Sequence, residues 1–229
     1  MHSFFVFLRD TLFPICCISC QKNGVALCSD CLSLISINTT PAYFSKSGAL
    51  KGIFYAAGYQ EQRVQRAIAL FKYRPFIKEL ALPLASLIIS HFALINNKTH
   101  PFHANGAENS ETPFILCPIP LHKKRLRWRG FNQAELLANA LSKTSGVPTY
   151  SALERIKNNA PQVELNGEQR KQNVKGIFRV KQDYTDMLHG KTVFLVDDVA
   201  TTGATMKEAA RVLKDAGAKS VWGIAVARG

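Results

Sequence analysis

The sequence predicts an α/β protein: a mainly parallel sheet flanked by helices, with a small cysteine-bearing module at the N-terminus. Three observations carry this. Apolar runs of strand length, Gly52 to Tyr59 (GIFYAAGY), Phe114 to Ile119 (FILCPI), Val193 to Val196 (VFLV) and Ser220 to Ala227 (SVWGIAVA), alternate with stretches of helical spacing, as strands joined by crossover helices do. Five of the six cysteines fall between residues 16 and 31. The run VFLV closes directly on two acids and a turn of small hydroxylated residues. At 229 residues the chain has room for one large domain and one small one. The expected division is 1–40 and 41–229.

The N-terminal stretch SFFVFL is interrupted by Arg9 and Asp10, too short for a signal peptide or a membrane span. A short helix ending before Pro14 is expected. A reducing, cytoplasmic compartment follows, which disfavours disulfides. Cys17-x2-Cys20 and Cys28-x2-Cys31 then give two chelating hooks separated by seven residues, with Gly24 permitting the reversal between them. Two such hooks complete a tetrahedron of thiolates around one metal. Zinc is favoured, iron is not excluded by thiolates alone, and Cys16 could replace Cys17. Four thiolates leave no open position, so the metal would be structural.

Gly52 to Tyr59 reads as a strand. Val64, Ala67, Ile68 and Phe71 follow at helical spacing. Tyr73-Arg74-Pro75 separates this helix from a second over Lys78 to Ile95. Residues 96–113 lack an apolar face and read as a surface loop or insertion, its His100 and His103 solvated. Phe114 to Ile119 is a buried strand with Cys117 in the core. A helix is expected over Phe131 to Leu141, and a strand over Gly176 to Val180.

Between these lies PLHKKRLRWRGFNQ, residues 120–133, read as a loop at the carboxyl end of the preceding strand. Five of the seven residues from Lys123 to Arg129 are basic. Such a run is often a solvated face, but open α/β sheets bind ligands at the carboxyl ends of their strands. Lys123, Lys124, Arg125, Arg127 and Arg129 therefore suit pyrophosphate or a nucleic-acid backbone. Trp128 either stacks on a base or packs on the protein. The formal charge of +13, from 29 Lys and Arg against 16 Asp and Glu, favours anionic partners.

The last third supplies the chemistry. Asp197 and Asp198 stand where the VFLV strand is expected to end, outside the core, so that neutralising both should spare the fold. Ala200, Thr201, Thr202, Gly203, Ala204 and Thr205 lead into a helix that picks up from Met206 and stops near Gly217. A helix N-terminus offers free N–H groups and partial positive charge to a phosphate. Gly203 keeps the approach open, and Thr hydroxyls add donors. Carboxylates repel phosphate but accept from sugar hydroxyls or hold a divalent cation. Phosphoribosyl pyrophosphate with Mg²⁺ meets all three demands.

VFLVDDVATTGAT resembles the phosphoribosyl pyrophosphate signature of type I phosphoribosyltransferases. The resemblance extends through the CxxC pair, Phe71 to Tyr73 (FKY), PIPLHKKRLRWRGFNQAELLA, and Gln162, Leu165, Arg170 and Asn173, in the order found in the ComF/GntX family of competence-associated, phosphoribosyltransferase-like proteins. It implies a zinc finger packed on a type I phosphoribosyltransferase core. It further implies Asp197 and Asp198 at ribose and Mg²⁺, Ala200 to Thr205 at the 5′-phosphate, and Lys123, Arg129, Gly130 and Asn132 in the loop facing pyrophosphate. No acceptor pocket is recognisable. An amidophosphoribosyltransferase is disfavoured, because its glutaminase needs an N-terminal cysteine and this chain begins Met1-His2. Two expectations stand: a competence protein that binds phosphoribosyl pyrophosphate and handles single-stranded DNA, with competence-machinery proteins as possible partners, or an active transferase of a small acceptor.

Overall fold

The structure, a computed structural model, describes residues 15–44, 48–95, 113–157 and 175–229. The helix expected before Pro14, the loop 96–113 apart from Pro113, and the segment from Gln162 to Asn173 lie outside the described residues.

In chain order, a cysteine loop leads into α1 (Ser29–Ser33), β1 (Ala42–Tyr43), β2 (Leu50–Gly58) and α2 (Gln62–Lys72). A 3₁₀ turn enters α3 (Ala81–Leu94), followed by β3 (Phe114–Pro118), α4 (Lys123–Arg129) and α5 (Gln133–Ser145). Then come β4 (Leu153–Arg155), β5 (Phe178–Val180), α6 (Thr185–Leu188), β6 (Thr192–Ala200), α7 (Ala204–Asp215) and β7 (Ser220–Arg228). The main sheet has the order β1-β2-β7-β6-β3, parallel throughout except for the antiparallel edge pair β1 and β2. Among the described residues no helix is long and apolar enough to cross a membrane.

Alternation along β6 builds the layers. Phe194 and Val196 face one side and join a core with Val64, Ile68 and Phe71 of α2, Leu84 and Ile88 of α3, and Leu137 and Leu141 of α5. Val193 and Leu195 face the other side and meet Met206, Ala209 and Leu213 of α7. Side chains that alternate this way need helices on both faces. Gly223 on β7 lets α7 lie close, since a Cβ there would stand 2.6 Å from the Met206 sulfur. The apolar side of the cysteine loop, Ile18, Leu27 and Ile35, is continuous with the core beneath α2 and α3.

The structure departs from expectation in three places. β6 does not stop at Val196 but runs through both acids to Ala200, because β7 continues beside it as far as the pair Ala200 and Arg228. The strand expected at Gly176 to Val180 is shorter and leaves the main sheet, pairing antiparallel with β4, which the sequence pattern did not reveal. The basic stretch expected as a loop contains the helix α4. His122 caps it by accepting from the Lys124 N–H, and Gly130, in the left-handed region at φ +81°, ends it.

Candidate functional site

A cleft of about 680 Å³ opens at the carboxyl end of β6. Its floor is the turn from Ala200 to Thr205. Gly203 adopts φ +72°, and a Cβ there would press on Ile53 and Phe44 at 3.3–3.4 Å. Only glycine combines that backbone with that space. The turn delivers the first N–H groups of α7 to the cleft, with the Thr202 hydroxyl accepting from the Ala204 N–H at 3.4 Å. All the turn residues expected at a phosphate, Ala200 to Thr205, line the cleft.

The two acids both line the cleft but differ in environment. Consecutive strand residues point to opposite faces. Asp198, only 3% exposed, turns toward α2, where Lys72 Nζ meets its Oδ1 at 2.7 Å. Burial works against the Lys72 ammonium, but Asp198 and Asp197 outweigh it and hold its pKa above the ordinary value. Asp197 is half-buried. Burial and the neighbouring Asp198 carboxylate push it up to about 8, against the pull of Lys72. Its Oδ1 accepts from the Asp198 N–H at 2.9 Å. Asp198 is therefore part of the packed interior, contrary to expectation, and Asp197 carries the unmet demand for positive charge.

The basic run is split by its helix. Arg125 and Arg129, one turn apart, line the cleft together with Trp128, while Lys123, Lys124 and Arg127 are exposed on the outside. Arg155, at the end of β4, enters the same cleft. Burial lowers the pKa of Arg155, and the Arg125 charge lowers it further. Burial likewise lowers that of Arg129, whose Nη1 donates to Gln133 Oε1 at 2.6 Å and whose buried Nε finds no partner. Among the described residues none of the three arginines ion-pairs with a carboxylate. Like charges gathered on one wall repel unless an anion joins them.

Of the loop residues expected at pyrophosphate, Arg129 and Asn132 line the cleft, and Lys123 and Gly130 do not. Asn132 acts first as a helix cap: its Oδ1 accepts from the Ala134 N–H and its Nδ2 donates to the Ile119 carbonyl. Lys72 and Arg155 were not singled out from the sequence. The FKY run held the only signal for Lys72, a charge placed directly after the buried Phe71. Nothing local marked Arg155, because β4 is three residues long.

The sulfur atoms of Cys17, Cys20, Cys28 and Cys31 lie within 4.8 Å of one another. The Cys20 and Cys28 sulfurs are 3.5 Å apart, and the Cys28 N–H donates to the Cys17 sulfur at 3.4 Å. Cys16 turns away to Asn23 Oδ1 at 3.1 Å. This is a donor set that a tetrahedral thiophilic ion fits. Cys117 is buried in the core, as expected.

The phosphoribosyl transferase domain family matches residues 129–228. Competence protein F of Haemophilus influenzae is 36% identical over 125 residues, covering 53% of this chain and 54% of that protein. Competence protein ComFC of Bacillus subtilis is 38% identical over 104 residues, 45% of this chain and 40% of that one. The DNA utilization protein YhgH of Escherichia coli K12 is 35% identical over 120 residues, 52% and 51% respectively. The chain spans about half the length of the curated relatives it matches.

Proposed function

We propose that this chain, a ComF-family protein with a phosphoribosyltransferase-type domain, binds phosphoribosyl pyrophosphate with Mg²⁺ in the cleft and handles single-stranded DNA in competence. The observation that carries the ligand is the meeting of three guanidinium groups, none ion-paired with a carboxylate among the described residues, with the N-terminal turn of α7 across one cleft. The 5′-phosphate takes the N–H groups and hydroxyls of Thr201 to Thr205. The pyrophosphate takes Arg125, Arg129 and Arg155. Asp197 is half-buried in the cleft lining, and Lys72 pairs with Asp198 rather than with it, so Asp197 is the residue to hold Mg²⁺, which would draw charge from the pyrophosphate oxygens. Asp198, fixed by Lys72, orients the strand end for the ribose hydroxyls. We assign zinc to the four cysteines.

Calorimetry tests this. Binding of phosphoribosyl pyrophosphate is expected to require Mg²⁺ and to vanish in Asp197→Asn. Arg155→Ala is expected to weaken it by about 10- to 150-fold, the loss of a charged hydrogen-bonding group of about 1.5–3 kcal/mol. Equal binding by Asp197→Asn would overturn the assignment.

For DNA, the outward side of α4 supplies the backbone contacts. Its residues Lys123, Lys124 and Arg127 are exposed and are not used by the cleft. Each phosphate contact on a single strand contributes a slope of about −0.7 in log affinity against log salt. The Lys123/Lys124/Arg127 triple alanine variant is expected to flatten that slope by roughly two units in fluorescence anisotropy. An unchanged slope would mean that this side of α4 is only solvated.

The second reading is an active transferase. The room in the cleft favours it, since about 680 Å³ exceeds one sugar pyrophosphate and admits an acceptor. No nucleophile is required: positioning and stabilisation of the leaving pyrophosphate by the arginines would suffice. Release of pyrophosphate, with and without single-stranded DNA, separates the two readings.

A further inference from the structure

Two aromatic side chains at the mouth of the cleft have no part in that assignment. Trp128 is 55% exposed and Tyr73 is 53% exposed, and both line the cleft. Large aromatic rings are normally drawn inside. Here the chain is arranged to hold them out. Tyr73 ends α2 in extended conformation, and its carbonyl accepts from the Phe76 N–H at 2.7 Å, closing a tight turn. Phe76 pays for that turn with φ +59°, a left-handed conformation rare for a bulky residue and typical of functional sites. In this position its ring supports the Trp128 indole edge-to-face at 5.3 Å. Behind it stand Phe131 at 6.3 Å and then Phe71 in the core. The indole thus rests on an aromatic ladder that reaches the protein interior.

We propose that Tyr73 and Trp128 form a base-stacking subsite that takes one unpaired nucleobase of a nucleotide at the cleft mouth. The inference rests on the reading of the cleft as a phosphate and sugar site, and it names the chemistry of the remaining space. Charge selects the occupant. Arg125 lines the cleft beside Trp128, with Arg129 and Arg155 beyond it, so a flat ring that carries its own phosphate is favoured over an uncharged aromatic group. Stacking is tolerant of sequence because every base has a π face, which suits a protein that meets single strands of any sequence.

The chain has two tryptophans. Trp222 lies on β7, packed on Phe54 and Tyr43, so quenching by a ligand in the cleft reports Trp128. Deoxyadenosine 5′-monophosphate is expected to quench the emission saturably, while deoxyribose 5-phosphate, with the same phosphate and no base, is expected to leave it unchanged. Trp128→Ala should remove the quench. Tyr73→Ala should weaken nucleotide binding by about 5- to 150-fold, the range of one base–aromatic stack, and Tyr73→Phe should retain it. Equal quenching by the base-free sugar phosphate, or wild-type nucleotide affinity in both alanine variants, would overturn the proposal. Calorimetry on the wild-type protein keeps the two readings apart. If phosphoribosyl pyrophosphate with Mg²⁺ binds and the nucleotide does not quench, this inference alone falls. If the nucleotide stacks and phosphoribosyl pyrophosphate does not bind, the ribose pyrophosphate reading falls and the stacking site stands.

Discussion

Replacing Asp198 by Asn is expected to destabilise the fold by about 3 kcal/mol, near the lower end for breaking a buried ion pair, whereas Asp197→Asn should leave the fold as stable or more so. The acids are neighbours in sequence and opposites in energetics. Asp198 is the buried partner of Lys72 at 2.7 Å, and its loss strands an ammonium in the interior. The lower end applies because the Lys72 side chain keeps 25% of its surface in solvent. Asp197 is the carboxyl that burial and Asp198 disfavour when ionised, so neutralising it removes a repulsion. A pH dependence follows. The folded pKa of Asp197 is raised from 3.8 to about 8, so between those values the native state binds more protons than the unfolded chain. The contribution of Asp197 to the stability of the Mg²⁺-free protein should therefore fall as pH rises from about 4 to about 8. The Lys72 ammonium stays charged across this window, since its pKa is raised above the ordinary lysine value. Urea unfolding at pH 5 and pH 8, on the wild-type protein and both single variants, checks each statement. A slope in Asp197→Asn unchanged from the wild type would assign the titration elsewhere.

This division of labour shows what local pattern does and does not encode. The strand VFLV, the two acids and the glycine turn were legible because each is short-range: an apolar run, a charge pair and a residue able to adopt φ +72° at Gly203. The end of β6 was not, because its length is set by β7 alongside it, a partner more than twenty residues away. The burial of Asp198 was hidden for the same reason, since Lys72 lies on a helix that reaches it only through the tertiary fold. Arg155 belongs to a three-residue strand whose partner, β5, stands across residues 158–174, and no periodicity marks so short an element. The basic run lies beside the cleft, yet its charges could be sorted only once α4 gave them helical spacing. At that point Arg125 and Arg129 fall to the cleft and Lys123, Lys124 and Arg127 to the outside.

Cys31→Ser is expected to release one zinc per chain and open residues 16–35 to protease, while Cys16→Ser keeps the metal and the protection. The reasoning is one of scale. The cysteine loop holds one short helix and a few apolar residues, Ile18, Ala26, Leu27 and Ile35, too little to fix four sulfurs within 4.8 Å unaided. In small units of this kind, metal binding contributes about 10–16 kcal/mol of apparent free energy that is also folding free energy. The Cys28 N–H directed at the Cys17 sulfur is the outer contact that a thiolate ligand needs, whereas Cys16 is occupied by Asn23. Loss should reach beyond the loop. Its apolar side is shared with the core beneath α2 and α3, and the Asn38 N–H that follows it donates to the Ala56 carbonyl on β2. The melting temperature of the whole chain is therefore expected to drop in Cys31→Ser and stay in place in Cys16→Ser. Elemental analysis of the purified protein decides the identity of the metal, since iron would bring visible absorption that zinc lacks. A metal-free protein with an intact, protected loop would mean that packing alone holds the four thiols together.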